Sequence, residues 1–334
     1  MTTSDGLLEL SAALGDHPRA RPLIDGSVAP EGIRLLGTTL GGSETFWRQL
    51  KYAEFDISEM SMSSLLIMTS QGPTPWVAIP VFTRVFHYTG AFVRTDRGIE
   101  SPADLRGKRL GVPEYQQTAA VWSRGILKDH FGVDPTEIEW FMERPPEVSH
   151  GGASGFVPPP GIRLQYIPRE TNMGEMVADG RLDGALLYIA SNNLVDRSRI
   201  DLHAHPKVRR LFPDAGAEKR RFYAATGIYP INHTVVVRRA ILEAHPWVAR
   251  SLYDAFQTVK THIRAERDEL FSHYFATGLF GAAERQAFTI DPFAYGISAT
   301  RPVLETIARY AHDQGLTKRR VALEELFDPS TLDL

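Results

Sequence analysis

The chain has 334 residues, 43% hydrophobic and 23% charged, which suits two lobes with cores of their own better than one simple core. Its 37 basic and 40 acidic side chains give a net charge of −3 and form no basic run, which argues against nucleic acid or a membrane surface as partner. Cysteine is absent, which excludes disulfides, thiolate nucleophiles and zinc–thiolate centres.

Met1–Gly15 has neither the basic start nor the long apolar stretch of an export signal, so a cytoplasmic location is expected. Leu7–Leu14 and Ile33–Leu36 read as strands. Gly41, Gly42 and Ser43 then turn into a helix near Glu44, with Ser43 as its N-cap. That turn lacks the Lys-Ser/Thr of a phosphate-binding loop and the spacing of a dinucleotide fingerprint, which sets phosphate binding aside. Phe55–Glu59 is the next strand, and Ser61–Ser63 caps a helix carrying Leu65, Leu66 and Met68. Trp76–Phe82 and Gly90–Val93 give two more strands, and the polar stretch Arg94–Ser101 marks a change of lobe. Beyond the Asp104–Val112 turn and strand, Gln117–Phe131 has apolar residues at helical spacing and Gly132 as its stop. Glu143–Gly161 is rich in Pro and Gly and reads as an exposed loop. A helix Asn172–Asp179, a strand Gly184–Ile189 and a returning strand Tyr229–Val237 follow. The chain ends with a long helix after Pro246, another over Pro302–Gln314 and a short one over Arg320–Phe327.

Strands and helices alternate, so each lobe should be a mainly parallel α/β sheet flanked by helices. Residues 1–93 and 231–334 are assigned to lobe one and 94–230 to lobe two, with the ligand cleft between them.

Several runs carry a resemblance: Asp25–Ile33 (DGSVAPEGI), Phe55–Leu66 (FDISEMSMSSLL), Ile79–Phe86 (IPVFTRVF), Ser101–Leu127, Tyr229–Arg239 (YPINHTVVVRR), His245–Phe256 and Asp291–Ile297 (DPFAYGI). Together they resemble the 4,5-dihydroxyphthalate decarboxylase family, an enzyme branch of the type II periplasmic-binding-protein-like superfamily. The DLRGK turn at Asp104–Lys108 is shared across the superfamily, whereas GVPEYQQTAAVWSRGIL and YPINHT are narrower. The chain departs from the family pattern at His87-Tyr88 and at His17-Pro18-Arg19-Ala20. The resemblance implies a two-lobed type II periplasmic-binding-protein-like fold, a cytoplasmic homo-oligomer and a small aromatic dicarboxylate as substrate. The implied reaction takes 4,5-dihydroxyphthalate to protocatechuate without an organic cofactor. The rival reading is a solute-binding or sensor protein that captures a small aromatic carboxylate without chemistry.

Such a decarboxylation needs groups to hold the carboxylates, loss of the phenolic proton para to the leaving carboxylate, and an acid for the ipso carbon. Gln116, Gln117 and Thr118 stand where a strand passes into a helix, so they offer backbone N–H groups and a dipole to an anion; a plain N-cap is the alternative for Thr118. Ser61 and Ser63 are the counterparts in lobe one. Arg19 and Arg124 are candidate carboxylate partners, with a solvated surface arginine as the alternative for Arg124. For proton transfer His233 and His87 are the candidates, against structural roles for both, and Glu59 or Glu114 could serve the phenol as base. Tyr88, Tyr115 and Tyr188 join the substrate-facing set, and Trp122 is either a stacking partner or core. No tight metal motif is present, and the pattern leaves room only for a loosely bound divalent ion.

Overall fold

The computed structural model describes residues 6–334; residues 1–5, which open the segment read as lacking an export signal, lie outside the described residues. In chain order the strands are β1 (Leu8–Leu14), β2 (Ile33–Thr39), β3 (Ile57–Ser61), β4 (Trp76–Arg84), β5 (Phe92–Arg94), β6 (Arg109–Val112), β7 (Glu139–Met142), β8 (Arg163–Tyr166), β9 (Gly184–Ala185), β10 (Val208–Arg210) and β11 (Ile231–Arg238). They form two sheets. The first runs β2-β1-β3-β11-β4 and the second β10-β5-β9-β6-β7-β8. Within the first, β1 pairs parallel with β2 and β3. Within the second, β6 pairs parallel with β7 and β9, and β7 with β8. One strand in each sheet runs against both neighbours, β11 in the first and β5 in the second. Each is the strand the chain enters directly after crossing between lobes.

The first crossing is the Val85–Ala91 stretch, earlier than the boundary placed after residue 93. Phe92 and Val93 hydrogen-bond into the second sheet opposite Ala185 and Gly184. The polar run that suggested a linker misled because Arg94 is buried, held by Asp96 and the carbonyls of Val177 and Ala178. A second correction concerns Glu143–Gly161. Glu143, Arg144, Ser149, His150 and Ser154 are buried, and His150–Ser154 is a short helix rather than open loop.

β3 is buried along its whole length, as expected of a strand covered on both faces. The larger hydrophobic core runs without a break from the first sheet through the helix Thr118–Phe131 to Trp140 in the second, so the lobes share apolar ground at their hinge. That helix joins them. Trp122 Nε1 donates to Ile231 O at the start of the returning strand, at 2.8 Å. The same helix lies against the helix Arg301–Asp313 at Gly125, where a Cβ would come within 2.3 Å of the Tyr310 ring. Gly132, with φ of +66°, ends the helix by closing onto Leu127 O and Lys128 O.

Replacing Gly125 with Ala should force those helices apart and cost ~1–3 kcal/mol. Urea unfolding should show a lower midpoint at unchanged m value, and an unchanged midpoint would mean that Tyr310 moves aside freely.

Candidate active site

Glu59 on β3 and His233 on β11 project from one face of the first sheet as diagonal neighbours, since Glu59 pairs with Val235 and Ser61 with His233. Glu59 is 5% exposed, yet both of its carboxylate oxygens are satisfied. His233 Nδ1 donates to Oε2 at 2.8 Å, His17 Nε2 to Oε1 at 3.0 Å, Gly15 N to Oε1 at 2.9 Å and Thr83 Oγ1 to Oε2 at 3.4 Å. Burial pushes the carboxyl pKa up, but the hydrogen bonds and charges of His17 and His233 outweigh it and hold the group well below the usual carboxylate range. An ionised carboxylate only accepts, so His233 presents its proton at Nδ1 to Glu59 and keeps Nε2 for another partner. The Phe46 ring meets the His233 ring edge-on at 4.6 Å, and Gly42 brings its helix, Gly42–Tyr52, close enough that a Cβ there would sit 3.3 Å from His233 Cε1.

His87 lies on the first crossing, within electrostatic reach of His233. Burial first, then the charge of His233, bring its pKa down to about 4. It lines a cavity of about 280 Å³ between the crossing and the second lobe, with Phe86, Tyr188, Arg210 and Lys219 among the walls and no carboxylate. Tyr188 donates its hydroxyl to Ile200 O at 2.7 Å, and burial pushes its pKa up to about 12.

At the base of the crevice the two lobes meet through hydroxyls. Ser61 Oγ lies 2.8 Å from Thr118 Oγ1, Ser63 N donates to the same oxygen at 2.9 Å, and Ser63 Oγ donates to Gln116 O at 2.5 Å. None of the three side chains caps its own helix; they bond across the gap instead. A second bridge is ionic. Arg144, fully buried, holds Glu114 at 3.0 Å and Asp196 at 2.5 Å, and donates across the lobes to Ser43 Oγ at 2.5 Å. Glu114 is further held by Ser149 Oγ at 2.7 Å and by Gln116, and His150 reaches Ser64 Oγ in lobe one at 3.0 Å. Burial raises the Glu114 pKa, but the charges of His150 and Arg144 overturn that and leave it lowered. Ser43, expected to cap its helix, thus spends its hydroxyl on closure.

Glu59, His233 and His87 form one neighbourhood, and Tyr188 shares the cavity wall with His87. Ser61, Ser63, Gln116 and Thr118 form the interlobe cluster. Arg19 stacks over Phe293 with its Cζ 4.0 Å from the ring centre, and its buried Nε has no partner. The remaining candidates are placed elsewhere than the crevice expected of them. Tyr88 gives its hydroxyl to Glu218 at 2.9 Å and packs on Phe212 and Phe222. Tyr115 is sealed between Trp140 and Arg124, and Arg124 Nε bonds Gln314 at 2.9 Å. In each, an aromatic or arginine near the crevice in sequence turns away from it and is buried against other elements. His17, His150, Arg144, Arg210 and Lys219 have no spacing signature that singles them out, although His17 stands in the segment that departs from the family pattern. Among the described residues, no group of three His, Asp or Glu side chains is arranged to hold a metal ion.

A 4,5-dihydroxyphthalate decarboxylase of Comamonas testosteroni is 34% identical over 330 residues, 98% of each chain. The chain belongs to that family. A second such decarboxylase, of Pseudomonas putida, is 35% identical over 219 residues, 65% of this chain and 82% of its own. No protein-family model matches. Among solved structures, the periplasmic aliphatic sulphonate binding protein of Escherichia coli is similar with a TM-score of 0.55 at 12% identity, covering 96% of this chain and 91% of its own. That likeness concerns the fold, which is periplasmic-binding-protein-like, with each lobe a mainly parallel sheet between helices. Family membership and receptor-like architecture thus coincide in one chain.

Arg144→Met should leave Glu114 and Asp196 buried without their cation, at a cost of about 3–5 kcal/mol, read as a large fall in Tm. For His87, the unfolded side chain takes up a proton near pH 6.5 and the folded one only near 4, so folding stability is lost as pH falls through that window. His87→Gln should therefore match the native protein's pH dependence above pH 7 and gain on it progressively below pH 6.5, in Tm measured from pH 8 to 4. A constant difference would show that His87 titrates as in water.

Proposed function

We propose that the chain is a non-oxidative aromatic carboxy-lyase that converts 4,5-dihydroxyphthalate to protocatechuate and CO2. The observation that carries this reading is the His233–Glu59 pair, whose imidazole Nε2 is left for a substrate and which lies within electrostatic reach of His87 in the wall of a cation-lined cavity. Family membership supplies the substrate class.

The substrate ring enters the cavity beside His87, where Arg210 and Lys219 supply positive charge and Phe86 and Tyr188 supply aromatic surface. The N-terminus of the helix Thr118–Phe131, with the Ser61, Ser63 and Thr118 hydroxyls, is a second place for carboxylate oxygens, reached when the lobes part and re-close. His87, neutral at neutral pH, accepts the phenolic proton para to the leaving carboxylate. The electron pair released on that oxygen moves through the ring to the ipso carbon. His233, protonated on Nε2, gives its proton to that carbon, and Glu59 balances the positive charge on the imidazole until the transfer. The carbon–carboxylate bond then breaks, its electron pair restores the aromatic ring, and CO2 leaves. His87 returns its proton to the phenolate, and solvent reloads His233 when the lobes open. His17 keeps the other Glu59 oxygen occupied, so the carboxylate cannot rotate away from His233. No step in this route requires an organic cofactor. The same reading carries a cytoplasmic location and a homo-oligomeric state, both resting on the family resemblance.

Incubating the purified protein with 4,5-dihydroxyphthalate should release CO2 and protocatechuate in equal amounts, followed by chromatography; tight binding without turnover would favour a receptor. His233→Ala should lower kcat by about 10²–10⁴-fold, far out of proportion to the fall in Tm that comes from leaving Glu59 one donor short. Glu59→Gln should also lower kcat, and a variant with native kcat would remove the pair from the chemistry.

A further inference from the structure

On the far side of the helix Thr118–Phe131 lies a cavity of about 410 Å³ that shares no lining residue with the one beside His87. Arg124 forms part of its wall and is 1% exposed. One face of its guanidinium lies on the Tyr115 ring, 3.6 Å from the ring centre, and Nε is held by Gln314, itself anchored to Val121 O at 2.9 Å. Nη1 and Nη2 are both buried and have no hydrogen-bond partner, and neither has the adjacent Tyr115 hydroxyl. Among the described residues no carboxylate pairs with Arg124. The acids that line the same cavity are already taken: Asp129 by Arg309 at 2.7 Å, Asp134 by Lys128 at 2.8 Å and Asp313 by Arg309 at 3.5 Å.

A buried guanidinium with its two terminal nitrogens idle is a poor way to fill a core, because a cation out of water needs an anion or acceptors on its donors. The fork of two N–H groups matches the two oxygens of one carboxylate. The rest of the cavity limits what the carboxylate can be attached to. Pro159, Pro160 and Ile162 offer an apolar wall for a ring, whereas the other cations of the lining, Lys128 and Arg309, are held by Asp134, Asp129 and Asp313 and so are not free for a second carboxylate.

We propose that this cavity is a second ligand site, which takes a small aromatic monocarboxylate with its carboxylate on Arg124 Nη1 and Nη2 and its ring against Pro159, Pro160 and Ile162. Tyr115 Oη is the further donor within the same wall. The site is separate from the decarboxylation chemistry and does not rest on it.

Benzoate titrated into the full-length protein by calorimetry should bind, and Arg124→Gln should weaken that binding at least about 10-fold. Pro160→Trp, at an exposed position on the rim, should plug the mouth to similar effect, and it keeps the test decisive if Arg124→Gln does not fold. A crystal soaked with 4-bromobenzoate should show the bromine anomalous peak against Pro159, Pro160 and Ile162. No binding by the native protein, native affinity in both variants, or a bromine peak only in the cavity beside His87 would each overturn the site.

Discussion

A carboxylate kept ionised where water scarcely reaches it is the constraint on which the rest of the site depends. Burying that charge would by itself drive Glu59 to take up a proton. Four donors from three separate stretches of chain prevent this: the turn after β1 supplies Gly15 and His17, β4 supplies Thr83, and β11 supplies His233. The site is therefore a property of the assembled first sheet. Because β11 follows the whole second lobe in the chain, the histidine that completes the pair comes from the far side of that insertion.

Closure of the crevice is a second problem with a different physical solution at each end. At the base, neutral hydroxyls of Ser61, Ser63 and Thr118 satisfy one another. Such bonds are individually modest, so they can be exchanged for bonds to a ligand at small cost. Along the side, Arg144 ties two acids of its own lobe and reaches only one hydroxyl of the other, Ser43. The expensive charges are thus balanced within one lobe and stay balanced if the lobes part. Trp47 Nε1 and Lys51 Nζ add contacts to Glu147 O at the exposed rim, where water can replace them. The fold by itself does not separate a binding role from a catalytic one; the groups placed on it do.

Much of the scaffold was legible in the chain. The buried strand at β3, the helix ended by Gly132 and the long helix after Pro246 follow from apolar spacing and turn residues, which act locally. The elements that escaped notice lacked such signals. The helix Ala215–Thr226 buries only Phe222, so its apolar pattern is faint. β10 is three residues long, and Arg94 and Arg144 read as solvated because their partners lie far away in sequence.

For the site, the residue types pointed to a histidine and carboxylate chemistry, and Glu59, His87 and His233 stood out by their places at strand ends and crossings. A two-lobed α/β scaffold, its family and a short set of groups able to move protons could thus be read along the chain. That Glu59 is gripped by His17 as well as His233, that Arg144 is the interior counter-charge, and that Tyr88, Tyr115 and Arg124 turn away from the crevice emerged only from the folded chain. The physical reason is one of range. Helix and strand preferences are set by neighbours a few residues away, whereas the charge state and orientation of a buried polar group are set by partners 24 to 174 positions distant, as in the bonds to Glu59.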